Sequence, residues 1–134
     1  AGVIDAAARL FHSAAGDEPL RLYLLLVAAS VGLSAFIDNI PYVAAMLPVV
    51  QGVAALMNGG AGIEPELFYF GLLTGATLGG NLTPIGASAN IAAIGILRKN
   101  GERVRTSDFL RIGVPFTLAA VLVGAGSLWL FWGV

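Results

Sequence analysis

Two short stretches hold most of the side chains able to bind a solute. They are Ser34-Ala35-Phe36-Ile37-Asp38-Asn39-Ile40-Pro41 and Gly80-Asn81-Leu82-Thr83-Pro84-Ile85-Gly86-Ala87-Ser88-Ala89-Asn90. Each sets hydroxyl, carboxamide or carboxylate groups beside a proline. Proline in a helix interior kinks or breaks it, but it is tolerated in the first turn of a helix. Pro41 and Pro84 therefore mark places where one helix stops and another begins. A helix start carries unpaired N–H groups and about half a positive charge, which suits an anion. Thr83 can cap a helix that begins at Pro84, and Asp38 or Asn39 can cap one ahead of Pro41. The unwound carbonyls, with Asn81, Thr83, Ser88 and Asn90, can instead coordinate a small cation. A sodium ion would draw on Asp38, Asn39, Asn81 and Asn90. Residue types alone leave anion and cation both open.

Other chemistries are poorly served. There is no cysteine, hence no thiol nucleophile, disulfide or thiolate metal site. His12 is the single histidine, so no histidine cluster can form. Gly75-Ala76-Thr77-Leu78-Gly79-Gly80 lacks the Gly-Lys-Ser/Thr that completes a phosphate loop. A net charge of −1 gives no basic footprint for nucleic acid. Neither an enzyme nor an organic cofactor is expected.

The surroundings of the two polar stretches are apolar. Hydrophobic residues make up 57% of the chain and charged residues 11%, against about 25% charged in soluble domains. With a mean hydropathy of +0.87, the composition points to lipid as the solvent. Backbone left unpaired in lipid costs several kcal/mol per group, so unwound chain at that depth must face protein or water. An ionised side chain there costs about 2.5–3.5 kcal/mol on insertion scales. Asp38, the only acid inside an apolar run, therefore reads as an ion ligand or proton carrier, with Na+ or H+ as the coupling ion. The bland alternative is a cap and nothing more.

The elements that must position these residues follow from the pattern. Residues 1–16 carry Val3, Ile4, Ala7, Leu10, Phe11 and Ala14 on one helical face and Asp5, Arg9, His12 and Ser13 on the other. Asp5 and Arg9 are spaced to pair. This is an interfacial amphipathic helix, ended by Gly16-Asp17-Glu18-Pro19. Residues 20–57 form two apolar arms about a tip at 38–41. The first, Leu22 to Ile37, spans about 24 Å, short of the roughly 30 Å hydrocarbon core. The second, Tyr42 to Met57, is also short. A re-entrant hairpin fits better than one crossing. Asn58-Gly59-Gly60-Ala61-Gly62 and Glu64-Pro65-Glu66 form the next connection. Residues 66–98 are a broken helix with its loop at 79–84: one half to about Leu78, the second from Pro84 to Leu97. Gly71, Gly75 and Gly79 recur every four residues as a small-residue packing face. Arg98, Lys99, Arg103 and Arg105 make 98–105 a basic loop, cytoplasmic by the positive-inside rule. Thr106-Ser107-Asp108 starts the last transmembrane helix, 107–134, with Pro115 near its beginning and Trp129 and Trp132 at an interface. Its C-terminus then lies outside, and the 38–41 tip enters from outside. The fold class is all-α integral membrane.

SAFIDNIP followed about forty residues later by GGNLTPIGASAN resembles the ion transporter superfamily. More narrowly it is similar to the citrate-transporter-like permeases, a grouping that includes arsenite pump membrane subunits, P protein, D-type sodium/proton antiporters and the dicarboxylate/sodium symporters. The resemblance implies two inverted repeats, each with a re-entrant hairpin and a broken helix, and a cell-membrane protein that dimerises through scaffold helices. Ser34, Asp38, Asn39 and Pro41 would then form the hairpin tip. Asn81, Thr83, Pro84, Gly86, Ser88 and Asn90 would form the broken-helix loop. One hairpin and one broken helix, in a chain beginning Ala-Gly-Val, read as the C-terminal half of such a transporter. The tip differs from the Ser-Asn-Thr of the dicarboxylate branch, which argues against a dicarboxylate. Expected function is ion-coupled transport of a small anion, oxyanion or cation. A channel-like subunit of an ATP-driven efflux pump and a non-transporting membrane scaffold are the alternatives.

Overall fold

The computed structural model describes residues 2–16, 18–57 and 65–133. Asp17, the Asn58–Gly62 loop, Glu64 and Val134 lie outside the described residues. Every regular element among those described is a helix: α1 Gly2–Ala15, α2 Pro19–Ser34, α3 Asn39–Met57, α4 Glu66–Gly79, α5 Ser88–Lys99 and α6 Thr106–Trp132.

Helix α4 organises the rest. It packs lengthwise on α2 and also against α6 and α3, whereas α2 and α3 touch one another far less than either touches α4. The small-residue face makes this possible. A Cβ at Gly75 would lie 2.7 Å from the Ser30 Cβ and 2.8 Å from the Val27 carbonyl, and one at Gly79 would lie 2.6 Å from the Val31 carbonyl. Only hydrogen at these positions lets the two backbones approach so closely. Leu67, Leu72 and Ala76 of α4 and Leu22 and Tyr23 of α2 are fully or almost fully buried around this crossing.

Helix α6 is tied to the same core at its far end. The buried Tyr23 hydroxyl donates to the Ala125 carbonyl at 2.9 Å, and its ring packs on Trp129 with centroids 5.7 Å apart. Trp129 thus serves packing as well as any interfacial role. Tyr23→Phe keeps the ring and removes the bond between helices, so thermal unfolding in detergent should register a loss of about 1 kcal/mol. An unchanged melting temperature would mean the bond contributes nothing.

Several boundaries differ from those the sequence suggests. Helix α6 begins at Thr106, within a residue of the expected start, and there the Asp108 carboxylate accepts the Arg105 N–H at 3.2 Å and closes the first turn. Pro115 is consequently interior to the helix, where it deprives the Arg111 carbonyl of its helical donor. Helix α3 runs through Pro48 and begins at Asn39. Its residues Asn39–Leu56, like Thr106–Trp132, are long and apolar enough to cross a membrane, so the second arm is longer than expected. On α1, Ala8 and Ala15 are buried, while Val3 and Leu10 of the expected apolar face are 84% and 68% exposed. Among the described residues Asp5 and Arg9 form no ion pair; Glu18 and Arg21 do, at 2.7 Å. On α6, Ile112, Leu122, Val123, Leu130 and Phe131 are exposed, an apolar surface of the kind lipid or further protein covers.

Candidate solute site at the two helix breaks

Pro41 favours the first break, although Pro48 and Pro115 lie inside α3 and α6 without interrupting them. A helix continuing from α2 would drive the Pro41 ring into the Ile37 carbonyl, and no N–H could bond there. Helix α2 ends at Ser34, and the N–H groups of Phe36 and Ile37 both turn back to the Leu33 carbonyl at 3.1 Å. The unwound residues are 35–38 rather than 38–41. Asp38 caps α3, its carbonyl accepting the Tyr42 N–H at 3.2 Å, and Asn39 and Pro41 already lie in the first turn.

The second break is longer than Pro84 alone requires. Helix α4 stops at Gly79, but α5 starts at Ser88, so 80–87 are non-helical. Thr83 does not cap a helix at Pro84. Its hydroxyl instead donates to the Ala35 carbonyl of the first break. Asn90 holds the loop: its Nδ2 donates to the Gly80 carbonyl at 2.9 Å and to the Thr83 carbonyl at 3.1 Å. Of these two carbonyls, that of Thr83 is the first acceptor a helix from Pro84 would use.

The breaks touch each other. A Cβ on Gly86 would lie 2.6 Å from the Gly80 carbonyl and 2.9 Å from that of Ala35, so only glycine fits where the two unwound segments meet. The Ser88 hydroxyl donates to the Asp38 carboxylate, and the N–H groups of Ser88, Asn39 and Ile40 face that carboxylate as well. Behind this contact Ser34 is fully buried. Its Oγ lies 2.6 Å from the Ala76 carbonyl and 2.7 Å from Asn39 Oδ1. One hydroxyl proton cannot serve both. Donation to Ala76 is compatible with Asn39 if its carboxamide is turned to donate to Oγ.

This geometry alters the expected anion cradle. In the first turn of α3, Asn39 and Ile40 point at Asp38, Pro41 has no N–H, and Tyr42 is bonded. The start of α5 commits Ser88 to the same carboxylate. Asp38 is thus the chain's own anion at both helix starts, and the free donors anticipated for α3 are already used.

Asn81 and Asn90 lie on the other side of the loop. They line a pocket of about 350 Å3 together with Phe109, Ile112, Gly113 and Phe116 of α6. The predicted residues thus fall into two groups. Ser34, Asp38, Asn39, Thr83, Gly86 and Ser88 join the breaks, and Asn81 and Asn90 face α6. The α6 wall was not anticipated. Its only signal in the sequence is Gly113 among larger apolar residues; a Cβ there would come within 2.7 Å of the Asn81 carbonyl. Thr117, one turn further on, is fully buried, and its hydroxyl has no partner among the described residues.

The chain belongs to the citrate transporter family CitMHS, whose family model matches residues 1–133. It is 37% identical over 129 residues to a protein of Mycobacterium tuberculosis (strain ATCC 25618 / H37Rv) called uncharacterized transporter Rv2685, covering 96% of this chain and 30% of that protein. It is 33% identical over 136 residues to the uncharacterized transporter slr0753 of Synechocystis, covering 92% of this chain and 30% of the relative. Human P protein is 38% identical over 101 residues, covering 75% of this chain and 12% of P protein. The chain therefore spans less than a third of the length of these relatives. No solved structure matches it. Family membership and the apolar helices together mark the chain as part of a membrane protein of this family.

Proposed function

We propose that this chain is a solute-binding portion of an ion-coupled secondary transporter for a small organic anion, with citrate the first solute to test. The single observation behind this reading is the Asp38 contact. A carboxylate from one helix break closes on the start of the helix that follows the other break, fifty residues away. An ionisable group joining two interrupted helices in an apolar protein is the arrangement expected where a coupling ion binds. Because Asp38 already supplies negative charge to both helix starts, that locus favours a cation: Na+ or H+ on Asp38, with Asn39 nearby. The anionic solute binds beside it. In the full-length protein, residues 20–57 would form a re-entrant hairpin, and an inverted N-terminal half would supply the facing breaks. The basic loop 98–105 would be cytoplasmic, the C-terminus outside, and the molecule a homodimer in the lipid bilayer.

The test is uptake of radiolabelled citrate by the full-length protein in proteoliposomes without ATP, under an imposed sodium or proton gradient. Accumulation above the equilibrium level, abolished when the gradient is collapsed, is expected. No gradient-dependent uptake of citrate under either condition would overturn the proposal. Uptake that only equilibrates would mark a channel.

A further inference from the structure

We infer that the connection between α5 and α6, with the first turns of α6, binds the headgroup of an anionic phospholipid. This is independent of the transport reading and needs only that the chain lies in a membrane.

Charge is distributed unevenly along the chain. Five of its seven basic residues, Arg98, Lys99, Arg103, Arg105 and Arg111, fall within fourteen consecutive positions. Five basic against two acidic side chains give this segment a net charge of +3, whereas two basic against six acidic give the rest of the chain −4. The basic groups are also available. All five residues are exposed, and none of them forms an ion pair among the described residues. Asp108 turns to the Arg105 N–H instead of to a guanidinium.

A basic stretch that only oriented α6 during insertion would need no particular shape. This one is held. Helix α5 closes on Gly101, whose φ of +87° favours glycine. The Gly101 N–H bonds to the Arg98 carbonyl at 3.1 Å and the Glu102 N–H to that of Leu97 at 3.0 Å. An Arg98 guanidinium nitrogen lies 3.5 Å from the Val104 carbonyl, which brings that side chain against 102–105 and leaves its other donors open. Helix α6 begins just beyond, at Thr106, and its N-terminus adds to the positive potential.

The neighbouring residues choose between a lipid and a soluble anion. Ile96 and Leu97 precede Arg98, Ile112 follows Arg111, and all three are exposed. No residue of α5 is buried. Apolar surface therefore runs up to the basic groups on both helices, and α6 is long and apolar enough to cross a membrane. A phosphate in solution would use the charges alone. A phospholipid uses both features: its phosphate meets the basic groups while its acyl chains cover the isoleucine and leucine side chains. Basic clusters beside a membrane-spanning helix recognise anionic headgroups in this way.

Retention of radiolabelled phosphatidylglycerol by the immobilised full-length protein, in detergent at low salt, tests this. Unlabelled phosphatidylglycerol should displace the label about tenfold or more effectively than phosphatidylcholine with the same acyl chains. Arg103 lies outside both helices and makes no side-chain bond among the described residues. Arg103→Gln should therefore keep the fold and weaken retention about fivefold, the effect of one basic residue near a lipid surface. Arg103→Lys should not weaken it. Lys99→Gln combined with Arg103→Gln should weaken it about twenty-five-fold, and Arg21→Gln, the same charge change elsewhere, should leave it as in wild type. Equal displacement by the two lipids would overturn the inference. So would unchanged retention in a correctly assembled double variant, or an equal loss in Arg21→Gln. Displacement by inorganic phosphate as effective as by the lipid would mark a soluble-anion site and overturn it too. None of these results bears on the transport reading, which citrate uptake tests separately.

Discussion

Asp38→Asn should cut gradient-driven uptake at least a hundredfold while leaving the protein folded. Asparagine is nearly isosteric with aspartate and is as good a helix cap, so the start of α3 survives. Its Oδ1 can still accept the Ser88 hydroxyl that now bonds to Asp38. What disappears is the charge. A coupling ion that binds Asp38 would lose its only formal countercharge among the residues joining the breaks. Initial rates in proteoliposomes, with and without the gradient, separate coupling from simple binding: exchange of solute across the membrane should outlast concentrative uptake. Concentrative uptake at the wild-type rate would show that Asp38 is a cap and not part of the mechanism.

How far the sequence discloses this arrangement depends on distance along the chain. Local chemistry is readable. Pro41 and Pro84, each set beside polar residues within apolar runs, announce two interruptions, and both occur, whereas Pro48 and Pro115 lie inside unbroken helices, so proline alone does not mark a break. The glycine spacing at 71, 75 and 79 likewise announces a close helix crossing, and α2 fills it. The exact limits of the breaks are harder to read. Thr83 has the right chemistry and position to cap a helix at Pro84, yet its hydroxyl is drawn to Ala35, forty-eight residues earlier. Asn90, which looks like a solute ligand, spends both N–H groups holding the loop. Asp38 has the signature of a helix cap and of an ion site; only the fold reveals that it meets Ser88. The α6 wall is invisible for a related reason: Phe109, Gly113 and Phe116 sit in an apolar helix whose sequence is equally compatible with facing lipid.

Gly79→Ala should destabilise the protein by about 1–3 kcal/mol, as a methyl forced into a filled contact does, and should also weaken the solute site. A Cβ at Gly79 would stand 2.6 Å from the Val31 carbonyl oxygen and 2.7 Å from its Cα. Both are backbone atoms within α2, so no side-chain rotation can relieve the overlap, and the two helices must separate. That separation reaches the first break. Ser34 lies one turn beyond Val31 in α2 and is bonded at 2.6 Å to Ala76 in α4, three residues before Gly79. If α2 and α4 move apart, this bond lengthens, and Asn39, held 2.7 Å from the same hydroxyl, loses its support. Gly79→Ala should therefore lower the melting temperature in detergent and raise the citrate concentration needed for half-maximal uptake. Ser34→Ala, which breaks the bond without pressing the helices apart, should reproduce the change in uptake with a smaller change in melting temperature. A Gly79→Ala protein as stable as wild type would mean that α2 and α4 do not cross as closely as described. If Ser34→Ala left uptake untouched, the breaks would be independent of the packing behind them.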